Sequence, residues 1–327
     1  MSGKVSAHAL LTTMSLRGFG RKTVIRLFDA VHPSELGLLS PGTLHSLIAT
    51  NVDRIPRIRV PELSEIISAY DHAEIVIEKS SLHNIQSISI FDEIYPSRLK
   101  MTPDPPAVLF TKGDLTALSR PFAVALIGTR KPSTYGSKAA FKIGARLASS
   151  GASVVSGLAI GCDTEGHLGC LSQNGIAVGV LAHGLDTVQP AASRQLAEQV
   201  LDAKGCLVSE YVIGTDPRRN SFVERDRIQS GLSDVVFVVE TGLKGGSMHT
   251  VEFSEKQGRS VACMLHPPEL ADHPMAEGCM KLIDSGRAKP IANQEDLENL
   301  IETLGEIDVP IHRSETKGSP LQKSFKF

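Results

Sequence analysis

The sequence predicts an α/β protein: a doubly wound parallel sheet preceded by a small N-terminal helical domain. Three observations carry that expectation. Short, nearly continuous apolar runs recur from Pro121 onward, each separated from the next by enough chain for a helix of about 10–15 residues. Segments rich in Gly and hydroxyl groups fall where those runs begin or end. The chain before residue 70 shows helical spacing broken by Gly and Pro.

Residues 1–70 read as short helices around Ala9 to Met14 and Val24 to Phe28, joined by the turn Leu16 to Gly20. A tight Gly turn with Arg21 and Lys22 entering the second helix fits a helix-hairpin-helix or SAM-like element, in which amides and basic side chains meet a phosphate. A small helical packing domain fits the same residues. From residue 71 the text becomes strand-like, at Ala73 to Ile77 and in the segment Ser87 to Lys100. A cluster at Pro103, Pro105 and Pro106 then marks extended chain leading into the sheet domain.

The alternation proper has apolar runs at Ala123 to Ile127, Ser153 to Val155, Ala177 to Leu181, Cys206 to Val208, Val235 to Val239 and Ser260 to Met264. The connections are too long for hairpins, so a single antiparallel domain fits poorly. The sheet domain is expected to span residues 71–290, extended leading segment included. Residues 291–327 are expected to form a helix at Glu295 to Leu304 and a flexible polar tail.

Composition bounds the function. Apolar residues make up 41% of 327, enough for a substantial core, while 34 Lys plus Arg against 36 Asp plus Glu leave no bulk attraction for nucleic acid. Any nucleic-acid binding therefore needs local charge separation. The five cysteines form no CxxC pattern and no secretory leader is visible, which suggests a reducing, cytoplasmic setting. No apolar run approaches the roughly 20 residues of a membrane span. No metal-ligand spacing is present either: Cys263, His266, His273 and Cys279 match no usual zinc pattern.

Four segments carry the chemistry. The first, GTRKPSTYG at Gly128 to Gly136, places Gly128, which lets a ligand approach the backbone, beside Arg130, a bidentate donor ahead of a helix. It matches neither GxGxxG nor GxxxxGK[ST]. The second, Ser156 to His167, offers Ser156 and Gly157 in a tight turn; Asp163 is placed to cap the following helix, with His167 four residues later on the same face. In the third, Asn220 to Asp234, Phe222 stands among Arg218, Arg219, Arg225 and Arg227, the composition of a surface that stacks a base and holds phosphates. The same residues also read as a salt-bridged helix start. The fourth segment, KGGSMHT, supplies Lys244, Gly245, Gly246 and Ser247 ahead of a helix and repeats the chemistry of the first.

Taken together and in this order, GTRKPSTYG, SGLAIGCDTEGHLGCL, FVERDRIQSGLSDVVFVVE and GGSMHTVEFSEKQGRSV resemble the DNA-processing protein A (DprA/Smf) family over roughly Asp92 to Met264. The resemblance implies a Rossmann-like core and a protein that is not an enzyme and carries no cofactor. Such a protein binds single-stranded DNA without sequence preference, forms a homodimer and passes the strand to the recombinase RecA in natural transformation or recombination. It also implies that Arg130 meets DNA phosphate, that Phe222 stacks a base, and that Arg225 and Arg227 are the paired arginines of the third segment, with Lys244 beside the fourth glycine loop.

The chain departs from the family's usual wording in three places. Val223 stands for the usual Pro, Asp226 for the Asn between the paired arginines, and Glu252 for an Arg. The short tail also leaves little room for the winged-helix-like module many relatives carry. A different class of function fits the same sheet: KGGSMHTVE is loosely similar to the GGxGTxxE loop of phosphoribohydrolases acting on nucleoside monophosphates, with Glu252 as general acid or base. A nucleotide-binding sensor belongs to that same alternative, and a scaffold with a vestigial pocket is a third possibility.

Overall fold

A computed structural model of the chain describes residues 6–29, 39–51, 58–271 and 273–307. The polar tail expected after the last helix lies outside them. The chain opens with helices α1 (Ala7–Met14), α2 (Arg21–Asp29), α3 (Pro41–Asn51) and α4 (Leu63–Leu82). Helix α4 runs straight through residue 70, and the strand expected at Ala73 to Ile77 is its middle. Its buried residues Ile66, Ala69, Ala73, Val76 and Ser80 recur at helical spacing against α1 and α3, and this packing overrides the local β-branched preference. A capping box between Glu62 and Glu65 fixes its start.

Strands β1 (Gln86–Ser89) and β2 (Val108–Gly113) flank the short helix α5 (Ser97–Lys100). The repeating unit follows as β3 (Ala123–Ile127), α6 (Thr134–Ser149), β4 (Ser153–Ser156), α7 (Cys162–Ser172), β5 (Ile176–Val180), α8 (Arg194–Asp202) and β6 (Cys206–Ser209). The second half contains α9 (Arg219–Gly231), β7 (Val235–Val238), α10 (Ser247–Lys256), β8 (Ser260–Met264), α11 (Glu277–Asp284), β9 (Lys289–Ile291) and α12 (Gln294–Ile307). The leading segment does more than cover the sheet. β2 joins it antiparallel to β6, with Phe110 opposite Ser209, and β1 pairs antiparallel to β2.

The strand order is β1-β2-β6-β5-β4-β3-β7-β8-β9, parallel from β6 to β9. Both faces of β3 are buried, as a doubly wound sheet requires: Val124 and Leu126 join the larger core, while Ala125 and Ile127 pack with Val236, Val238, Val251, Cys279 and Leu282. The chain winds outward from β3 to β6, then returns to lay β7 on the other side of β3. Adjacent loops therefore leave the carboxyl ends of β3 and β7 in opposite directions, and a crevice opens between them.

Two local features set the shape of that crevice. Helices α6 and α7 approach so closely that a side chain at Gly144 would overlap the Gly166 backbone, and one at Gly169 the Phe141 carbonyl. At the start of α7, Gly161 takes φ 90°, ψ −131°, and a Cβ there would collide with the Thr129 carbonyl oxygen. The β4–α7 turn is thereby pressed onto the β3 loop, and the Cys162 amide donates to the Thr129 carbonyl at 3.1 Å.

Candidate nucleic-acid interface

The crevice is a cleft of roughly 640 Å³ lined by the loops after β3 and β7, the turn after β4 and one face of α9. Its two upper loops are tied together from below. Ile127 and Thr129 bracket the continuation of β7: the Val239 amide donates to the Ile127 carbonyl at 2.9 Å, and the Thr129 amide to the Glu240 carbonyl at 2.7 Å. The Glu240 carboxylate, fully buried, accepts from the Ser133 amide and hydroxyl at 2.8 and 2.6 Å and faces His266 Nε2 at 3.3 Å. Burial alone would raise its pKa, but the hydrogen bonds from His266 and Ser133 more than offset that and hold it below the usual carboxylate range. Ser133 Oγ also accepts from the Gly136 amide at 3.0 Å, capping α6.

The lip of the cleft is cationic. Arg130 and Lys244 are exposed, and among the described residues neither has a carboxylate within ion-pair distance. The Arg130 guanidinium lies 5.5 Å from the centre of the half-buried Phe222 ring. Gly245, Gly246 and Ser247 lead into α10 beside Lys244; the Gly245 amide donates to the Gly242 carbonyl at 3.0 Å, which leaves those of Gly246 and Ser247 at the helix start.

The floor is different. Arg225 is 6% exposed; its Nη1 donates to the Val180 carbonyl at the end of β5 at 2.6 Å, and its Nε lies 3.2 Å from Asp226 Oδ1. Behind it Asp163 accepts from the Gly157 and Ala159 amides at 2.9 and 3.4 Å. Burial raises the pKa of both carboxyls against the opposing pull of Arg225, and Asp226 is pushed up to about 6.

Of the residues expected to bind DNA, the cleft brings together Gly128, Arg130, Phe222, Arg225, Lys244, Gly245, Gly246 and Ser247. Ser156 and Gly157 lie beneath it. The Ser156 hydroxyl donates to the Leu126 carbonyl at 2.7 Å, and the missing side chain of Gly157 makes room for the Arg225 guanidinium. Arg227 points away from the cleft. Its guanidinium pairs with Glu210 and lies 3.6 Å from Asp104, which also pairs with Arg21 of α2. Residues two apart on a helix cannot share a face. Arg21, expected to offer itself to a phosphate, is likewise turned inward to Asp104, Glu210 and Glu224.

Three further expectations change. Asp163 does not cap α7 but serves the turn upstream of it, because Gly161 already occupies the cap position. His167 makes no pair with Asp163: it is fully buried, neither ring nitrogen has a hydrogen-bond partner among the described residues, and burial lowers its pKa to about 4. Glu252 is exposed outside the cleft, near the Glu255–Arg287 pair, so the phosphoribohydrolase reading loses its acid or base. The sequence reading passed over Gln229, Thr241, His249 and Met275 as lining residues. Gln229 was within reach, since it follows Phe222 and Arg225 at helical intervals of seven and four.

Fold and cleft together define a doubly wound α/β protein with a cationic lip at its topological switch point, its sheet joined to the N-terminal helices through an ionic network. The chain belongs to the DNA recombination-mediator protein A family, whose model matches residues 86–302. It is 36% identical to the Smf protein of Synechocystis over 68% of this chain and 56% of that one. It is 38% identical to Smf of Escherichia coli over 68% and 58%. The chain thus spans less than two thirds of the length of these two relatives. Among solved structures, DNA processing protein A from Streptococcus pneumoniae superposes with a TM-score of 0.74 at 26% identity, covering 90% of this chain and 98% of that one. DNA processing protein A from Helicobacter pylori, solved to describe its single-stranded DNA binding mode, gives 0.60 at 28% identity over 69% and 97%. No helix among the described residues is long and apolar enough to cross a membrane.

Proposed function

We propose that this chain binds single-stranded DNA in the switch-point cleft, catalyses no reaction there, and hands the strand to a RecA-type recombinase during transformation or recombination, acting as a homodimer. The observation that carries the reading is the Arg130–Phe222 pair at the lip, a cation against an aromatic ring with no acidic partner among the described residues. A phosphate beside Arg130 and a base on Phe222 use the two residues at once, and the pairing tolerates any sequence because every base has a π-face. Lys244 and the amides of Gly246 and Ser247 extend the cationic lip for the next phosphate. The chain as a whole is near neutral, so attraction for DNA comes from local charge and the binding is sensitive to salt.

The test is fluorescence anisotropy with labelled single-stranded and duplex oligonucleotides of mixed sequence, repeated over a range of salt concentrations. Binding that favours the single strand and weakens linearly on a log–log salt plot is the expected result. Saturation by a nucleoside monophosphate with no affinity for oligonucleotides would instead identify a nucleotide sensor.

A further inference from the structure

Lip and floor of the cleft carry opposite charge. Arg130 and Lys244 stand at the opening, whereas the buried floor sets two carboxylates, Asp163 and Asp226, against the single guanidinium of Arg225. That guanidinium is already engaged by the Val180 carbonyl and by Asp226. A phosphate is therefore favoured at the lip and repelled from the floor. What the floor offers is a hydrogen-bond acceptor: Asp226 is 9% exposed, lines the cleft, and its Oδ2 receives no hydrogen bond from the described residues. That oxygen is open to the cleft while most of the side chain is buried, so a donor that arrives with the ligand can reach it.

Asp226 also lies four residues beyond Phe222 on α9, so the two share a helix face and both line the cleft. A base stacked on Phe222 at the lip turns one edge toward the floor. We propose that Asp226 reads that edge by accepting a hydrogen bond from amino or imino hydrogens of the base, so that the cleft prefers cytosine and guanine to thymine. This rests on the single-stranded DNA reading above and adds a modest bias to binding that otherwise tolerates any sequence. Cytosine presents its N4 amino group to a carboxylate, and guanine presents N1–H and N2–H side by side. Thymine flanks its one imino hydrogen with carbonyl oxygens, which a carboxylate repels.

The experiment compares cytosine and thymine tracts of equal length by anisotropy at about pH 7.5, where both bases and most Asp226 carboxyls keep a single charge state. The wild type is expected to bind the cytosine tract about fivefold more tightly, the low end for one base-edge contact. Asp226→Asn, whose amide can donate as well as accept, is expected to bring the ratio close to one by gaining affinity for thymine. Arg130→Ala is expected to weaken both tracts and leave the ratio unchanged. Equal affinities in the wild type, or a ratio that survives D226N, overturns the assignment of Asp226 while leaving the DNA-binding reading intact. Failure of the wild type to bind either tract overturns both.

Discussion

Arg225 and Arg227 are separated by one residue on α9 and serve opposite sides of the protein: Arg225 closes the floor of the cleft against Val180 and Asp226, while Arg227 is locked to Glu210 behind the helix. Of the paired arginines, one thus lines the cleft and the other joins the acidic cluster that also holds Arg21 of α2.

Substituting the second of them tests that division. Arg227→Ala leaves Glu210 buried with half its neutralising charge gone, the situation that costs about 3–5 kcal/mol when one partner of a buried pair is removed. Urea denaturation is expected to show that loss, with DNA affinity of the folded fraction changed little. A variant as stable as wild type but unable to bind DNA would place Arg227 in the ligand site after all.

Arg130 and Phe222 separate charge from stacking. Arg130→Ala removes one phosphate contact and is expected to flatten the log–log salt slope by about 0.7. Phe222→Ala removes a stacked base, worth roughly 1–3 kcal/mol, and is expected to leave the slope alone. Identical salt slopes for wild type and R130A would show that the Arg130 cation meets no phosphate.

Asp226 gives the cleft a pH dependence. The groups facing its carboxyl are Arg225, Asp163 and His249, and burial lifts its pKa from the ordinary 3.8 to about 6. Lowering the pH from about 7.5 toward about 5.5 discharges the floor, and affinity for a thymine tract is expected to rise. D226N, which keeps His249, is expected to flatten that rise, so the difference between the two proteins isolates Asp226. The raised folded-state value has a second consequence. The ionised carboxyl penalises the native state above about pH 6, so its contribution to stability improves as pH falls from about 6 toward 4. Parallel titration curves for the two proteins would show that Asp226 carries no such linkage.

Gly161 tests how the rim is positioned. Gly161→Ala forces a side chain into φ 90°, ψ −131° and onto the Thr129 carbonyl, and thermal unfolding is expected to show a loss of about 1–3 kcal/mol or more. Binding is expected to weaken as well, because Thr129 carries the chain into Arg130. An unchanged melting temperature would mean that the β4–α7 turn rearranges freely.

The sheet was legible because its strands are buried on both faces: Ala123 to Ile127 and Ser260 to Met264 are read from the text without a residue's error. β9 was not, since Lys289–Ile291 is three residues with a central proline and no apolar run. The β-branched run Ala73 to Ile77 misled for the reason that long helices follow their buried stripe rather than local preference. At the site, the glycine loops announced themselves through composition, but the direction of each arginine did not. Whether Arg225 or Arg227 faces the ligand depends on the rotation of α9, and Arg21 found acids at positions 104, 210 and 224 that lie far from it in the chain.

That last network bears on how the protein can be dissected. Cutting away the N-terminal helices would delete Arg21, leaving Asp104 and Glu210 to Arg227 alone and Glu224 without its Arg21 partner. The isolated sheet domain would then carry an under-neutralised acidic knot directly behind the helix that bears Phe222 and Arg225. A weak DNA binder obtained by truncation would report that imbalance, and measurements on the cleft belong to the chain with both domains in place.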